Sequence, residues 1–221
     1  MPKLEQGNIL RLIYTDVDPE KEDEFRLWYD TEHEPLLNKV DGVIYNYKAL
    51  NLSEKGQRYF FMYLHRDTDV QKSTEYGAVS QTEWSRKIRP FLKNFNAEVY
   101  QAVPGMPIPT KPLGGHTIRT VRFDLNPDLD AEFDQWFVKT YLPGINKISG
   151  VVGVCRALSL RKEGPKHLIT YFVTKPGIEA MLDFEPASPK SSLGETLRKT
   201  SLTFNHYGIR IRLADRRPYS F

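Results

Sequence analysis

Two stretches of this chain pose one chemical question. FRLWYDTEHEPL (Phe25 to Leu36) and FDQWFVKTYLPG (Phe133 to Gly144) share a Phe, a Trp and a Pro at the same spacing, yet where the first has His33 the second has Tyr141. Histidine is the side chain whose ordinary pKa lets it take or give a proton near neutrality. On a helical wheel His33 falls at the margin of the apolar stripe, where a side chain can reach an interior cavity. The structural alternative is a helix-end histidine that bonds a free carbonyl and is favoured by the helix dipole. A structural cap would be expected in both stretches, and tyrosine is a poor carbonyl cap. The exchange therefore marks either a pocket kept in one stretch only or drift between two equivalent scaffolds.

Further polar and aromatic groups could serve such a histidine. Strand alternation puts Tyr45 and Tyr47 on one face, and Tyr59, Phe61, Tyr63 and His65 on one face of the next strand. If those faces coincide they form an aromatic wall whose phenols can hold an enolate or phenolate oxygen; tyrosines of a sheet core are the alternative. Catalytic roles are expected for His33, Tyr45, Tyr47 and Tyr63. Substrate contacts are expected from Arg11, Trp28, Tyr29, Phe61, His65 and Trp84. Arg11 could anchor a carboxylate or phenolate. Its counterpart Arg119 makes a structural pairing with an acid across the core the preferred reading. The histidines show no His-x-x-x-His or Glu-x-x-His spacing, and Cys155 is the single cysteine. No metal site, disulfide framework or cofactor is expected.

These groups must be held by elements, and the elements recur. Shifted by 108 residues, the sequence aligns with itself without a gap from Gly7 to Asp67: Arg11 meets Arg119, Trp28 meets Trp136, Pro35 meets Pro143, Gly42 meets Gly150 and Tyr63 meets Tyr171. Two copies of one unit are expected, residues 1–103 and 116–221, joined by a Pro- and Gly-rich connector over 104–115. In the first copy ILRLIYT predicts a strand. Asp18 and Pro19 then open a helix that should end or kink at Glu34, ahead of Pro35. VIYNYKALNL and RYFFMYLHR predict a hairpin, residues from about Glu75 to Leu92 a second helix, and AEVYQAV a last strand. Strand, helix, strand, strand, helix, strand is the split βαβ order. The predicted class is α+β: two tandem ferredoxin-like βαββαβ repeats whose bare, apolar sheet faces pack together as an intrachain α/β barrel.

The run FRLWYDTEHEPLLNKVDGV, followed by RYFFMYLHRDTDV, QTEW and RPFL, resembles the dimeric α/β-barrel superfamily, and EthD-like proteins in particular. The resemblance covers nearly the whole chain, once per copy. It implies a pocket lined by aromatic residues and a range of chemistry: cofactor-free cyclases, isomerases, oxygenases of aromatic polyketides, and haem-degrading enzymes. The haem-degrading pattern pairs Asn, Trp and His; Asn8 and Trp84 are present, but no histidine follows Trp84 before the second copy. The leading expectation is a cofactor-independent enzyme that cyclises, isomerises or dehydrates an aromatic or polyketide-like carbonyl compound. An oxygenase and a non-catalytic binder of hydrophobic ligands are the alternatives. The partner expected is a hydrophobic small molecule, with a homodimer of the fused barrel left open. The net charge of +3 is small and mostly interspersed, so nucleic acid is not expected. Neither a membrane span nor an apolar leader is visible, which fits the cytoplasm.

Overall fold

The computed structural model describes residues 9–51, 56–104, 106, 108, 117–125, 127–174 and 178, and the backbone of 207–210. In the first half, strand β1 (Ile9–Val17) leads to helix α1 (Glu22–Trp28). A single π-helical turn (Tyr29–His33) and helix α2 (Glu34–Leu37) continue it. Strands β2 (Val43–Asn51) and β3 (Tyr59–His65) follow, then helices α3 (Thr74–Val79) and α4 (Glu83–Ile88) and strand β4 (Leu92–Ala102). The second half repeats the order through β5 (Thr117–Phe123), α5 (Asp130–Trp136), a π turn (Phe137–Tyr141), α6 (Leu142–Ile145), β6 (Val151–Ser159) and β7 (His167–Val173). The last described element is β8 (Tyr207–Arg210). The π turns, β2 with β6, and β3 with β7 stand 108 residues apart.

All strand pairs are antiparallel. Their order β1-β3-β2-β8-β5-β7-β6-β4 closes into a barrel. Both halves contribute to its interior, with Leu12, Phe60, Met62, Ile118, Leu168 and Phe172 among the buried residues. Burying strand faces against one another removes the apolar surface that an open sheet with helices on one side would leave wet. The outer face of each half's sheet is covered by its own helices. Arg122 of β5 and Glu98 of β4 form an ion pair inside the barrel, with Tyr100 donating its hydroxyl to the same carboxylate at 2.9 Å. No helix among the described residues is long and apolar enough to cross a membrane.

Three local expectations are corrected. Of the two outcomes expected at Glu34, an end or a kink, the first is corrected: helix geometry passes through it (φ −63°, ψ −46°), with a π turn interrupting the regular helix just before. The π turn explains it: the Glu34 N–H donates to the Tyr29 carbonyl five residues back, and that wider turn makes room for the Pro35 ring, which lacks an N–H and crowds the carbonyl four residues before it. The second helix is broken at Ser80 to Thr82, because Ser73 and Thr82 each cap a separate short helix, accepting from Tyr76 N–H and Ser85 N–H. The connector is more than a spacer: its Met106 is buried among the helix-side residues of the second half, and its Ile108 in the barrel. Asn8, Asn126, His116, His206 and most of the expected last helix lie outside the described residues.

Candidate functional site

A cavity of about 530 Å³ lies in the first half between the outer face of β1 and β3 and the helices α1, α3 and α4. That is within the size range of small-molecule sites. Apolar and aromatic side chains form most of its wall, with Phe25, Trp28, Tyr29 and Phe61 prominent. Alternation along β3 aims Tyr59, Phe61, Tyr63 and His65 at the helix layer, their rings nearly parallel at 6.2 to 6.4 Å from one to the next. Directly across the ladder from Tyr63 is Arg11.

His33 closes the π turn, and that turn sets its position. A residue five on from Trp28 would leave the indole behind in a regular helix. The widened turn instead brings the imidazole over it, with centroids 4.5 Å apart, and beside Tyr29 at 5.5 Å. Trp28 is itself fixed by its Nε1–H, which donates to Ser85 Oγ at 3.2 Å. Neither nitrogen of His33 is hydrogen-bonded to a described residue, and Nδ1 is fully buried. Burial first, and then the charge of Arg11, pull its pKa down to about 4. At neutral pH it is an uncharged imidazole, able to accept a proton rather than supply one.

Two phenols stand beside it. Tyr29 and Tyr63 share a hydroxyl–hydroxyl hydrogen bond of 3.3 Å. Burial holds both well above the usual tyrosine range. One O–H is used in the pair, and the other is left to donate to a bound oxygen. Arg11 reaches the cavity from β1. Its Nη1 meets Gln71 Oε1 and Tyr76 OH, each at 3.3 Å. No acid pairs with it among the described residues, so the expected pairing with Asp or Glu across the core is corrected.

The second half answers the comparison that its sequence invites. Tyr141 also stacks on its tryptophan, Trp136, at 4.9 Å. It is fully buried, and its hydroxyl pairs with that of Tyr171 at 2.7 Å. Phe137 there replaces Tyr29, so the phenol that pairs with Tyr171 has moved from one helix position to the other. In this half the polar atom of the ring is used; in the first half the imidazole lines a cavity and keeps an unused nitrogen.

Of the expected site residues, His33, Tyr63, Arg11, Trp28, Tyr29 and Phe61 all line the cavity. Tyr45 and Tyr47 do not join them. They face the barrel interior, because β2 and β3 pair with Tyr45 opposite Leu64 and Tyr47 opposite Met62. A bulge between Val43 and Tyr45 sets that register. His65 is fully buried behind Tyr76 and Trp84 packs against the helix layer; neither lines the cavity. Gln71, Tyr76, Ser85 and Arg89 line it and were not anticipated. The available signal was the Ser73 cap, which starts a helix at Thr74 and turns Tyr76 inward. Among the described residues no three His, Cys, Asp or Glu side chains are grouped to hold a metal ion. Cys155 is buried in the barrel, its thiol pushed up to about 12 by burial.

No family model and no curated protein matches the chain. Solved structures do match it in fold. A chlorite dismutase from Candidatus Nitrospira defluvii in complex with imidazole is 12% identical with a TM-score of 0.65, covering 93% of this chain and 91% of that one. An anthrone oxidase-like protein is 13% identical with a TM-score of 0.60 over 93% and 91%. A monooxygenase candidate from Fusobacterium nucleatum subsp. nucleatum is 13% identical with a TM-score of 0.64 over 93% and 92%. At such identities the likeness is one of fold, and the fold is the α+β barrel of antiparallel strands and outer helices described above.

Proposed function

We propose that the first-half cavity is the active site of a cofactor-independent, cytoplasmic enzyme that moves a proton on a hydrophobic aromatic or polyketide-like carbonyl compound. The supporting observation is His33: a neutral imidazole with no hydrogen-bond partner among the described residues, on the wall of an aromatic cavity. It takes a proton from the carbon next to the carbonyl. The charge moves to the carbonyl oxygen, which accepts the free O–H of the Tyr29–Tyr63 pair. Return of the proton to another carbon gives isomerisation; its delivery to a departing hydroxide gives dehydration. Attack of the carbanion on a second carbonyl, followed by protonation, gives cyclisation. We read the chain as a tandem duplication of an EthD-like ferredoxin unit, residues 1–103 and 116–221, in which the first unit holds the site.

A second reading, a cofactor-free oxygenase, is favoured by the names of the anthrone oxidase-like and monooxygenase neighbours. It uses the same base: the enolate that His33 forms is oxidised by dioxygen, as in anthrone plus O₂ giving anthraquinone plus water. Of the haem-degrading set, Asn8 lies outside the described residues. Trp84 stands off the wall, and no second imidazole lines it among the described residues.

Anthrone distinguishes the readings. Deuterium uptake at its reactive methylene in D₂O, with no oxygen consumed when air is admitted, supports proton transfer. Anthraquinone formation with oxygen consumption supports the oxygenase. In either case His33→Gln lowers turnover by about 10²-fold or more. Because the base works uncharged, kcat/KM rises with pH through about 4 and is flat above it. Unchanged turnover in a folded His33→Gln protein removes His33 from the mechanism.

A further inference from the structure

The wall of the cavity is one-sided in charge. Among its lining residues are two guanidinium groups, Arg11 and Arg89, and no Asp or Glu. Arg89 is exposed and donates from Nη2 to the Ser80 carbonyl at 2.7 Å, which sets it at the rim. Arg11 lies deeper, half-buried. Both of its hydrogen bonds use Nη1, both are long at 3.3 Å, and both go to neutral oxygens. Its Nε is fully buried without a partner, and Nη2 bonds to no described residue. Nη2 is therefore the guanidinium donor left for a ligand in the cavity, and a charged N–H donor of this kind favours a carboxylate oxygen.

Leaving a buried charged donor without an acceptor is unfavourable, and most such groups are satisfied by a partner or a ligand. The charge of Arg11 also reaches its surroundings, acting on His33, Tyr63, His65 and Tyr76 alike. The same cavity is lined by aromatic rings, Phe61, Tyr63 and Trp28 among them, with Tyr63 directly across the ladder from Arg11.

We infer that the ligand of this cavity is an aromatic carboxylate, held by Nη2 of Arg11 with its ring against the aromatic wall. This rests on the reading of the cavity as the substrate site and narrows it. The substrate carries an acid group besides the carbonyl on which His33 acts. Arg11 serves as an anchor and Arg89 attracts the anion at the entrance.

The test is calorimetric titration of the full chain at pH 7 with 2-naphthoate and with its neutral isostere 2-naphthamide. The naphthoate is expected to bind at least tenfold more tightly. Arg11→Met should abolish that preference while leaving the amide's affinity within about twofold. Arg11→Lys, which keeps the charge but loses the fork, should retain a reduced preference, and it serves if the methionine variant does not fold. Arg119→Met, the matching position of the second half, should change nothing. Equal affinity for the two probes, failure of both to bind at millimolar concentration, or a preference that survives in Arg11→Met overturns the inference. His33→Gln separates it from the catalytic reading. That variant should keep the preference for naphthoate and lose turnover: retained turnover fails the catalytic reading, and a lost preference fails this inference.

Discussion

His33 and Tyr141 occupy the same place at the end of the same π turn, stacked on equivalent tryptophans, and differ in what their polar atoms do. The hydroxyl of Tyr141 is spent on Tyr171, whereas Nδ1 of His33 is buried and unused. A group that serves the scaffold should be costly to remove, and one held for chemistry should not. Tyr141→Phe deletes the hydroxyl that bonds Tyr171 in a packed core and is expected to cost about 1 kcal/mol. His33→Phe removes a buried nitrogen that has no partner, so it is expected to be neutral or stabilising. Urea denaturation of the two variants checks this; an equal loss for both would make His33 a scaffold residue. The exchange itself is legible in the sequence. Its coupling to a second exchange, Tyr29 for Phe137, is not, because only the folded helix shows that these positions compete for one hydroxyl partner.

At the scale of elements, β3 carries the site's aromatic ladder and ends in a liability. His65 is fully buried, both ring nitrogens are without hydrogen bonds to described residues, and burial with the charge of Arg11 brings its pKa down to about 4. In the unfolded chain its pKa is the ordinary 6.5. Its effect on stability is therefore absent at pH 7. As pH falls from about 6.5 towards 4 the unfolded chain takes up a proton that the folded one does not, and stability is lost. His33 adds to the loss in the same window. His65→Leu should narrow the drop in stability between pH 7 and pH 4.5, measured by urea midpoints at the two values. A drop as large as that of the parent would show that His65 is protonated normally in the fold. Strand alternation placed His65 on the same face as Tyr63 correctly, but alternation does not say which residues a cavity reaches. Tyr76, on a helix made short by the Ser73 cap, stands between His65 and the cavity.

At the scale of the molecule, the barrel depends on contacts between halves. The ion pair of Glu98 with Arg122 crosses from β4 to β5 in the barrel interior, and the Arg122 guanidinium lies 4.8 Å from the Tyr14 ring centroid. Replacing one partner takes the opposite charge away from the other in a poorly solvated place. Glu98→Gln, which keeps the shape, is expected to cost about 3–5 kcal/mol. The same change made together with Arg122→Leu should cost less than the two single changes summed. Chemical denaturation of the single and double variants measures this; a loss below about 1 kcal/mol for Glu98→Gln would mean the pair does not hold the halves together. Closure also explains the fate of Tyr45 and Tyr47. The β2–β3 register sends them to the interior shared by both halves, a sheet face away from His33.

Local chemistry was settled by the sequence: the alternation of strands, the Asp18 and Pro19 helix start, the aromatic stripe, and the spacing of 108 that separates the two π turns, β2 from β6 and β3 from β7. These depend on neighbours a few residues apart, which the chain itself specifies. Tertiary structure alone decided which face of which strand meets which helix, and so which six of the ten expected side chains converge. A one-residue bulge reverses a strand's facing and one wider helical turn re-aims a ring. Neither carries a signature in residue type, because both are selected by the packing they permit.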